Sequence, residues 1–170
     1  ELKPSSDVDV MFLHRENAVS KETQQLIEQV LYLLWDIGFK VGQSTRTVKG
    51  AVSAANEDMH TKTALLEARF LVGDQSLADT FRAQFRSKCV IGHEREYIEL
   101  RMRDQAARHA KFGNSVYLQE PNLKNSCGGL RDYQNLLWMT FFKDGTLTTN
   151  HLVAKDWLSE PDRRRLETAY

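Results

Sequence analysis

Ser6-Asp7-Val8-Asp9-Val10-Met11-Phe12 sets two carboxylates, one apolar residue apart, at the opening of a hydrophobic run. Side chains alternate across a strand, so this pattern predicts a strand with Asp7 and Asp9 on one face and Val8, Val10 and Phe12 turned to a core. Two such acids suit magnesium, which takes hard oxygen ligands, often one or two protein carboxylates, and completes its shell with water and substrate phosphates. An isolated D-x-D is also compatible with two solvated acids at a strand entry. The stretch Glu1-Leu2-Lys3-Pro4-Ser5-Ser6 ahead of it reads as a turn, which sets the acids where a polar loop enters a buried strand.

Downstream, Ser20 to Gly38 predicts an amphipathic helix. Leu26, Ile27, Val30, Leu31, Leu34 and Ile37 form its apolar stripe, Ser20 its N-cap and Gly38 its stop, and the stripe is expected to pack on the sheet. Phe39 to Val48 reads as a second strand with Ser44 and Arg46 on one face, a hydroxyl and a guanidinium suited to phosphate oxygens, or equally an exposed strand face. Lys49 to about Lys62 is a patchy helix broken by Asn56-Glu57-Asp58. The second half of Thr63 to Asp74 is expected as a third strand, with Glu67 and Arg69 on one face and the turn Gly73-Asp74 at its end.

From Ser76 the pattern is helical: Ser76 to about Lys88, then Gly92 to Lys111. In the latter, Glu94, Arg95, Glu96, Glu99, Arg101, Arg103 and Asp104 read mostly as a solvated face with intrahelical ion pairs. Gly128-Gly129 precedes a helix running to about Lys143. A glycine turn at a helix N-terminus presents backbone N–H groups to an anion, with Lys124 and Arg131 adding charge, and it is equally compatible with an ordinary loop and cap. Glu160-Pro161-Asp162 opens a last helix. The histidines show no ligand spacing.

Composition bounds the partners. The 170 residues are 41% hydrophobic, enough for one domain or two small ones, and 23 basic residues balance 23 acidic ones. A net charge of zero offers no global attraction to nucleic acid or to an anionic membrane, so any phosphate binding is local. Cys89 and Cys127 have no C-x-x-C spacing, which suggests neither zinc nor a disulfide framework and fits a reducing cytoplasm. No apolar run approaches the roughly 18 residues of a membrane span. The chain opens at Glu1 and ends within a helical sequence, as a fragment is expected to do.

Five blocks in order resemble the PII uridylyltransferases: Glu1-Leu2 with Pro4 and Asp7-Val8-Asp9; Leu34-Trp35-Asp36 with Gly38; Val41-Gly42 with Ser44 and Arg46-Thr47; Leu65-Leu66-Glu67-Ala68-Arg69 with Gly73-Asp74; and Glu120-Pro121-Asn122 with Lys124 and Gly128-Gly129-Leu130-Arg131-Asp132. The first block is shared with many nucleotidyltransferases of the DNA polymerase β type, and the last is the most specific. The resemblance implies an α+β fold, with a small mixed-sheet nucleotidyltransferase domain over 1–86, lacking its N-terminal part, followed by a truncated helical domain over 87–170. It implies transfer of UMP from UTP to a tyrosine of the PII nitrogen-signalling protein. Glutamine is the implied regulator, acting through ACT domains, and an HD-type domain is the implied remover of UMP; both lie outside this region of the family.

On that basis Asp7, Asp9 and a third acid are expected to bind two magnesium ions. Glu67 is the expected third acid rather than Asp58, because it sits in an apolar run where an unpaired carboxylate is costly to bury, although an ion pair with Arg69 would also satisfy it. Ser44, Arg46, Arg69, Lys124, Gly128, Gly129 and Arg131 are expected around the nucleotide. Two other classes fit the same residues: a related transferase with a different acceptor, and a non-catalytic nucleotide-binding module.

Overall fold

The structure, a computed structural model, describes residues 7–15, 19–117, 119–120 and 122–170. The turn expected over Glu1 to Ser6 lies outside these residues, as does Pro121 of the last family block. Among the described residues helices dominate, with one small sheet, and the chain divides into two compact units, Glu1–Cys89 and Val90–Tyr170.

In the first unit the D-x-D strand is β1 (Val8–His14) and the second strand is β2 (Val41–Thr47), joined by helix α1 (Lys21–Asp36). They pair in parallel, with Asp9 opposite Gly42, Met11 opposite Ser44 and Leu13 opposite Arg46. A parallel pair needs a crossover, and α1 supplies it. The Ser20 hydroxyl accepts the Thr23 amide at 3.2 Å to start α1, and Gly38, at φ +90°, turns the chain out of it.

The expected apolar stripe of α1 is only partly covered. Leu31 is buried and Ile27 and Leu34 are half-buried, whereas Leu26 (60% exposed), Val30 and Ile37 face outward. Two strands spaced about 4.8 Å apart are narrower than a helix with its side chains, so they cover one edge of the stripe.

Thr47 ends β2 and caps α2 (Val48–Glu57), its Oγ1 accepting the Gly50 amide at 3.0 Å. Asp58 then caps α3 (Met59–Leu66), its carboxylate accepting the Thr61 amide at 2.6 Å. The break Asn56-Glu57-Asp58 is therefore a boundary between two helices. The third strand expected after Thr63 is absent: Leu65 and Leu66 complete α3, Glu67 is its C-cap, and residues 68–71 have no regular structure. An Asp cap followed by Ala and Leu, both good helix formers, carries this ambiguous apolar run into a helix. Among the described residues the expected mixed sheet is a purely parallel two-stranded one.

Helix α4 (Gln75–Phe85) begins at Asp74, whose carboxylate accepts the amides of Ser76 and Leu77, and it continues into a π-helical turn, Arg86–Val90. The core forms where α2 meets α4 and β2: Ala51, Val52, Ala55, Phe81, Phe85 and Cys89 are buried there. Burial holds the Cys89 thiol above its usual range, and its Sγ donates to the Val52 carbonyl.

The described elements of the second unit are α5 (Glu94–Lys111), α6 (Leu130–Asp144), α7 (Thr149–Ala154) and α8 (Glu160–Ala169). Helix α5 packs on α6 through Tyr97 stacked on Phe142, with ring centroids 3.6 Å apart, and through buried Trp138. Arg95 pairs with Glu99 on the outer face of α5, as the i,i+4 spacing predicts. Arg101 departs from that expectation: it is 2% exposed, its guanidinium lies over the Trp138 ring and it donates to Asn135 Oδ1.

Candidate active site

Asp9 lies on the face of β1 that also carries Met11 and Leu13, in register with Gly42, Ser44 and Arg46 of β2. Asp7 immediately precedes the strand and continues its alternation on the same side, where the Val8 amide donates to the Lys40 carbonyl at 2.8 Å. Both acids are exposed.

The Asp9 carboxylate reaches across to β2 and lies over Gly42. A Cβ built on Gly42 would stand well inside contact distance of Asp9 Oδ1, so the space of a missing side chain is the space the carboxylate fills. Ser44 and Arg46 follow on that face at steps of about 7 Å along β2. Both are half-buried. The first unit thus presents, on one face of a parallel pair, two carboxylates followed by a hydroxyl and a guanidinium.

Glu67 is not carried by a third strand. As the exposed C-cap of α3 it sits on no strand, and Arg69 two residues on is exposed in irregular chain, so the strand geometry that would have put the two on one face is not formed. Among the described residues no three His, Cys, Asp or Glu side chains gather as a group able to hold a metal. Asp58, the other acid considered, is a helix cap: the Thr61 side chain and then its amide hold the Asp58 carboxyl below its usual range.

Hard, exposed oxygens from Asp7 and Asp9, with the Asp9 carboxylate seated over a glycine, fit a magnesium site that draws its remaining ligands from water and phosphate. The fit rests on this pair alone.

The remaining candidates lie in the second unit. Gly128 has φ +73°, a left-handed conformation that only glycine adopts freely, and Gly129 is the N-cap of α6. A Cβ on Gly129 would stand 2.9 Å from the carbonyl oxygens of both Leu123 and Ser126, so the second glycine allows close backbone approach. The amides of this turn are donated internally: Gly128 to Asp132 Oδ2, Gly129 to Ser126, Leu130 to Leu123 and Arg131 to Lys124. An anion here would be met by the side chains of Lys124 and Arg131 rather than by those N–H groups. Lys124 is exposed, and the Arg131 guanidinium lies 5.3 Å from the centre of the Trp138 ring.

Asp132, which the sequence reading did not single out, organises this turn. It accepts from Arg108 Nη2 at 2.9 Å, from His109 Nε2 at 2.8 Å and from Gln105 Nε2 at 3.1 Å, besides the Gly128 amide. Burial pushes its carboxyl up, but Arg108, the Gly128 amide and His109 together bring it below the usual range. An acid in the first turn of a helix just after two glycines was the available signal, since such an acid can reach back to an amide ahead of the helix.

Among the described residues no helix is long and apolar enough to cross a membrane. The family model described as GlnD PII-uridylyltransferase matches residues 96–170. The curated bifunctional uridylyltransferase/uridylyl-removing enzyme of Erythrobacter litoralis (strain HTCC2594) is 47% identical over 139 residues, which are 82% of this chain and 15% of that relative. Being longer than the second unit, that match includes residues of the first. No solved structure matches the chain. With a family model over the second unit and a close relative over most of its length, the chain belongs to the PII-uridylyltransferase family.

Proposed function

We propose that the chain is the nucleotidyltransferase region of such an enzyme, moving UMP from UTP to a tyrosine hydroxyl of a PII protein. The observation that carries this reading is the exposed Asp9 carboxylate of β1 lying over Gly42, with the exposed Asp7 just ahead of the strand. In the reaction the tyrosine oxygen bonds to the α-phosphorus, the bond from that phosphorus to the bridging oxygen breaks, pyrophosphate leaves and the hydroxyl proton passes to solvent. Bound divalent cations, magnesium in this reading and two of them, neutralise the triphosphate and lower the pKa of the attacking hydroxyl. Asp7 and Asp9, both exposed, would hold such cations where β1 begins. Ser44 can hydrogen-bond a phosphate oxygen, and Arg46 offers a fork of donors to another. Among the described residues Glu67 joins no group of three side chains able to hold a metal.

Lys124 and Arg131 are proposed to add positive charge for the nucleotide within a helical domain over 87–170, following a nucleotidyltransferase domain over 1–86. The exposed Arg69 has the same proposed role in the first unit. A cytoplasmic enzyme, regulated by glutamine through other domains of the family, completes the proposal; Cys89 and Cys127 are both free thiols, in keeping with a reducing compartment.

The test is incubation of the protein with labelled UTP, magnesium and a PII protein. Label on a PII tyrosine supports the reading. UTP binding without transfer to PII or any other acceptor would make the chain a nucleotide-binding module, and transfer to a different acceptor would make it a related transferase.

A further inference from the structure

Gly42 sits inside β2, where glycine weakens a strand, yet nothing in its backbone requires glycine: it lies in the ladder opposite Asp9 and its φ is outside the left-handed region. Among the described residues, what its missing side chain makes room for is the side chain of Asp9. Both heavy atoms that the described residues bring within 4 Å of a Gly42 Cβ, Oδ1 and Cγ, belong to that side chain. Those atoms are the free end of an exposed side chain and not backbone, so an added methyl would turn the carboxylate aside while the strands kept their pairing.

We propose that Gly42 is a positioning residue for the active site: the gap it leaves in β2 holds the Asp9 carboxylate down along the sheet, on the face of Ser44 and Arg46. This rests on the reading of Asp9 as a cation ligand. Gly42 touches no substrate and acts only through Asp9.

Manganese, a spectroscopically visible substitute for magnesium, is titrated into the full chain and followed by electron paramagnetic resonance. The variants are Gly42→Ala, Asp9→Ala and the double variant, each with a circular-dichroism melt. Residues that orient a metal ligand typically change metal affinity by about 10- to 100-fold, so Gly42→Ala is expected to weaken manganese binding about tenfold with an unchanged melt. In the Asp9→Ala background Gly42→Ala should have no further effect on affinity, because the side chain it displaces is gone.

Equal manganese affinity for Gly42→Ala and the parent, with Asp9→Ala weakened, overturns the role of Gly42 and leaves Asp9 as a ligand. Unchanged affinity in Asp9→Ala instead sinks the ligand reading itself. A further loss on adding Gly42→Ala to Asp9→Ala shows that Gly42 acts through something else, and overturns the proposal. Should Gly42→Ala fail to fold, the double variant decides: folding restored by Asp9→Ala supports the clash with Asp9, and folding still lost refutes it.

Discussion

The Asp132 carboxylate holds the Arg108 guanidinium at 2.9 Å, joining the first turn of α6 to the last turns of α5. Both side chains are largely buried, with exposures of 16% and 12%, and the same carboxylate takes His109 and the Gly128 amide. The double-glycine turn is thereby tied to α5 as well as to its own loop.

Replacing Asp132 with Asn removes the charge and leaves a poorer acceptor facing Arg108 and His109. Hydrogen bonds to charged groups contribute about 1.5–3 kcal/mol, and a loss of that order is expected in urea unfolding of the second unit. Arg108→Gln should cost a similar amount, and the double variant less than the sum of the two. Strict additivity in that cycle would show that the two residues do not act as a pair.

Gly129→Ala and Gly128→Ala should destabilise for different reasons. The first drives a methyl to 2.9 Å from two backbone carbonyl oxygens that cannot swing away, and overpacking of this kind costs about 1–3 kcal/mol. The second puts a side chain at φ +73°, a left-handed cost of about 1–2 kcal/mol that Asn, which tolerates this region, should partly relieve. Denaturant midpoints for Gly128→Ala, Gly128→Asn and Gly129→Ala check this, and a Gly128→Asn variant no better than Gly128→Ala would refute the backbone explanation.

Asp74 gives a prediction in pH. The Ser76 hydroxyl, then Arg15 at 2.5 Å and the Leu77 amide, draw its carboxyl from 3.8 down to about 2. A folded-state value below the unfolded one stabilises the fold fully above the unfolded value, and the contribution disappears as pH falls through the folded value. Asp74→Asn keeps a capping side chain but not the charge, so its melting temperature should lie below the parent's at neutral pH and converge on it between about pH 4 and pH 2. A gap that stays constant over that window would show that the carboxylate's charge is not what stabilises the start of α4.

The parts of this fold that were legible in the sequence are those set by neighbours along the chain. Ser20 and Gly38 bound α1, the alternation of Asp7 to Phe12 gave β1, and Gly128-Gly129 marked the start of α6. The helix that ends at Glu67 is not legible as one because Thr63 to Val72 is too short an apolar run for periodicity to decide, and the Asp58 cap that settles it stands on the far side of an apparent break. Gly42 was invisible as a partner of Asp9 because their contact depends on the register between two strands. The amides of the Gly128-Gly129 turn looked available because their acceptors, the carbonyls of Leu123, Lys124 and Ser126, belong to a loop with no readable pattern. Arg101 looked solvated because its burial depends on Trp138 and Asn135 of another helix.

The four acids considered for the metal make the sharpest prediction, because their surroundings differ. Asp7 just ahead of β1 and Asp9 within it are both exposed, so Asp7→Asn and Asp9→Asn should melt like the parent. Charge stabilisation by bound cations contributes several kcal/mol to the transition state, and each 1.36 kcal/mol is tenfold in rate, so transfer from labelled UTP should fall by about 100-fold or more in either variant. Arg46→Ala removes a charged hydrogen bond to the nucleotide and should raise the UTP dissociation constant about tenfold, as measured by calorimetry. Glu67 is the exposed C-cap of α3 and belongs to no three-acid group among the described residues, so Glu67→Gln should keep the parent's manganese affinity. Asp58→Asn should keep it too, since Asn caps a helix about as well as Asp. A loss of manganese binding in Glu67→Gln equal to that in Asp9→Asn would mean that α3 carries a ligand into the site, and the reading built on the Asp7 and Asp9 pair alone would have to be abandoned.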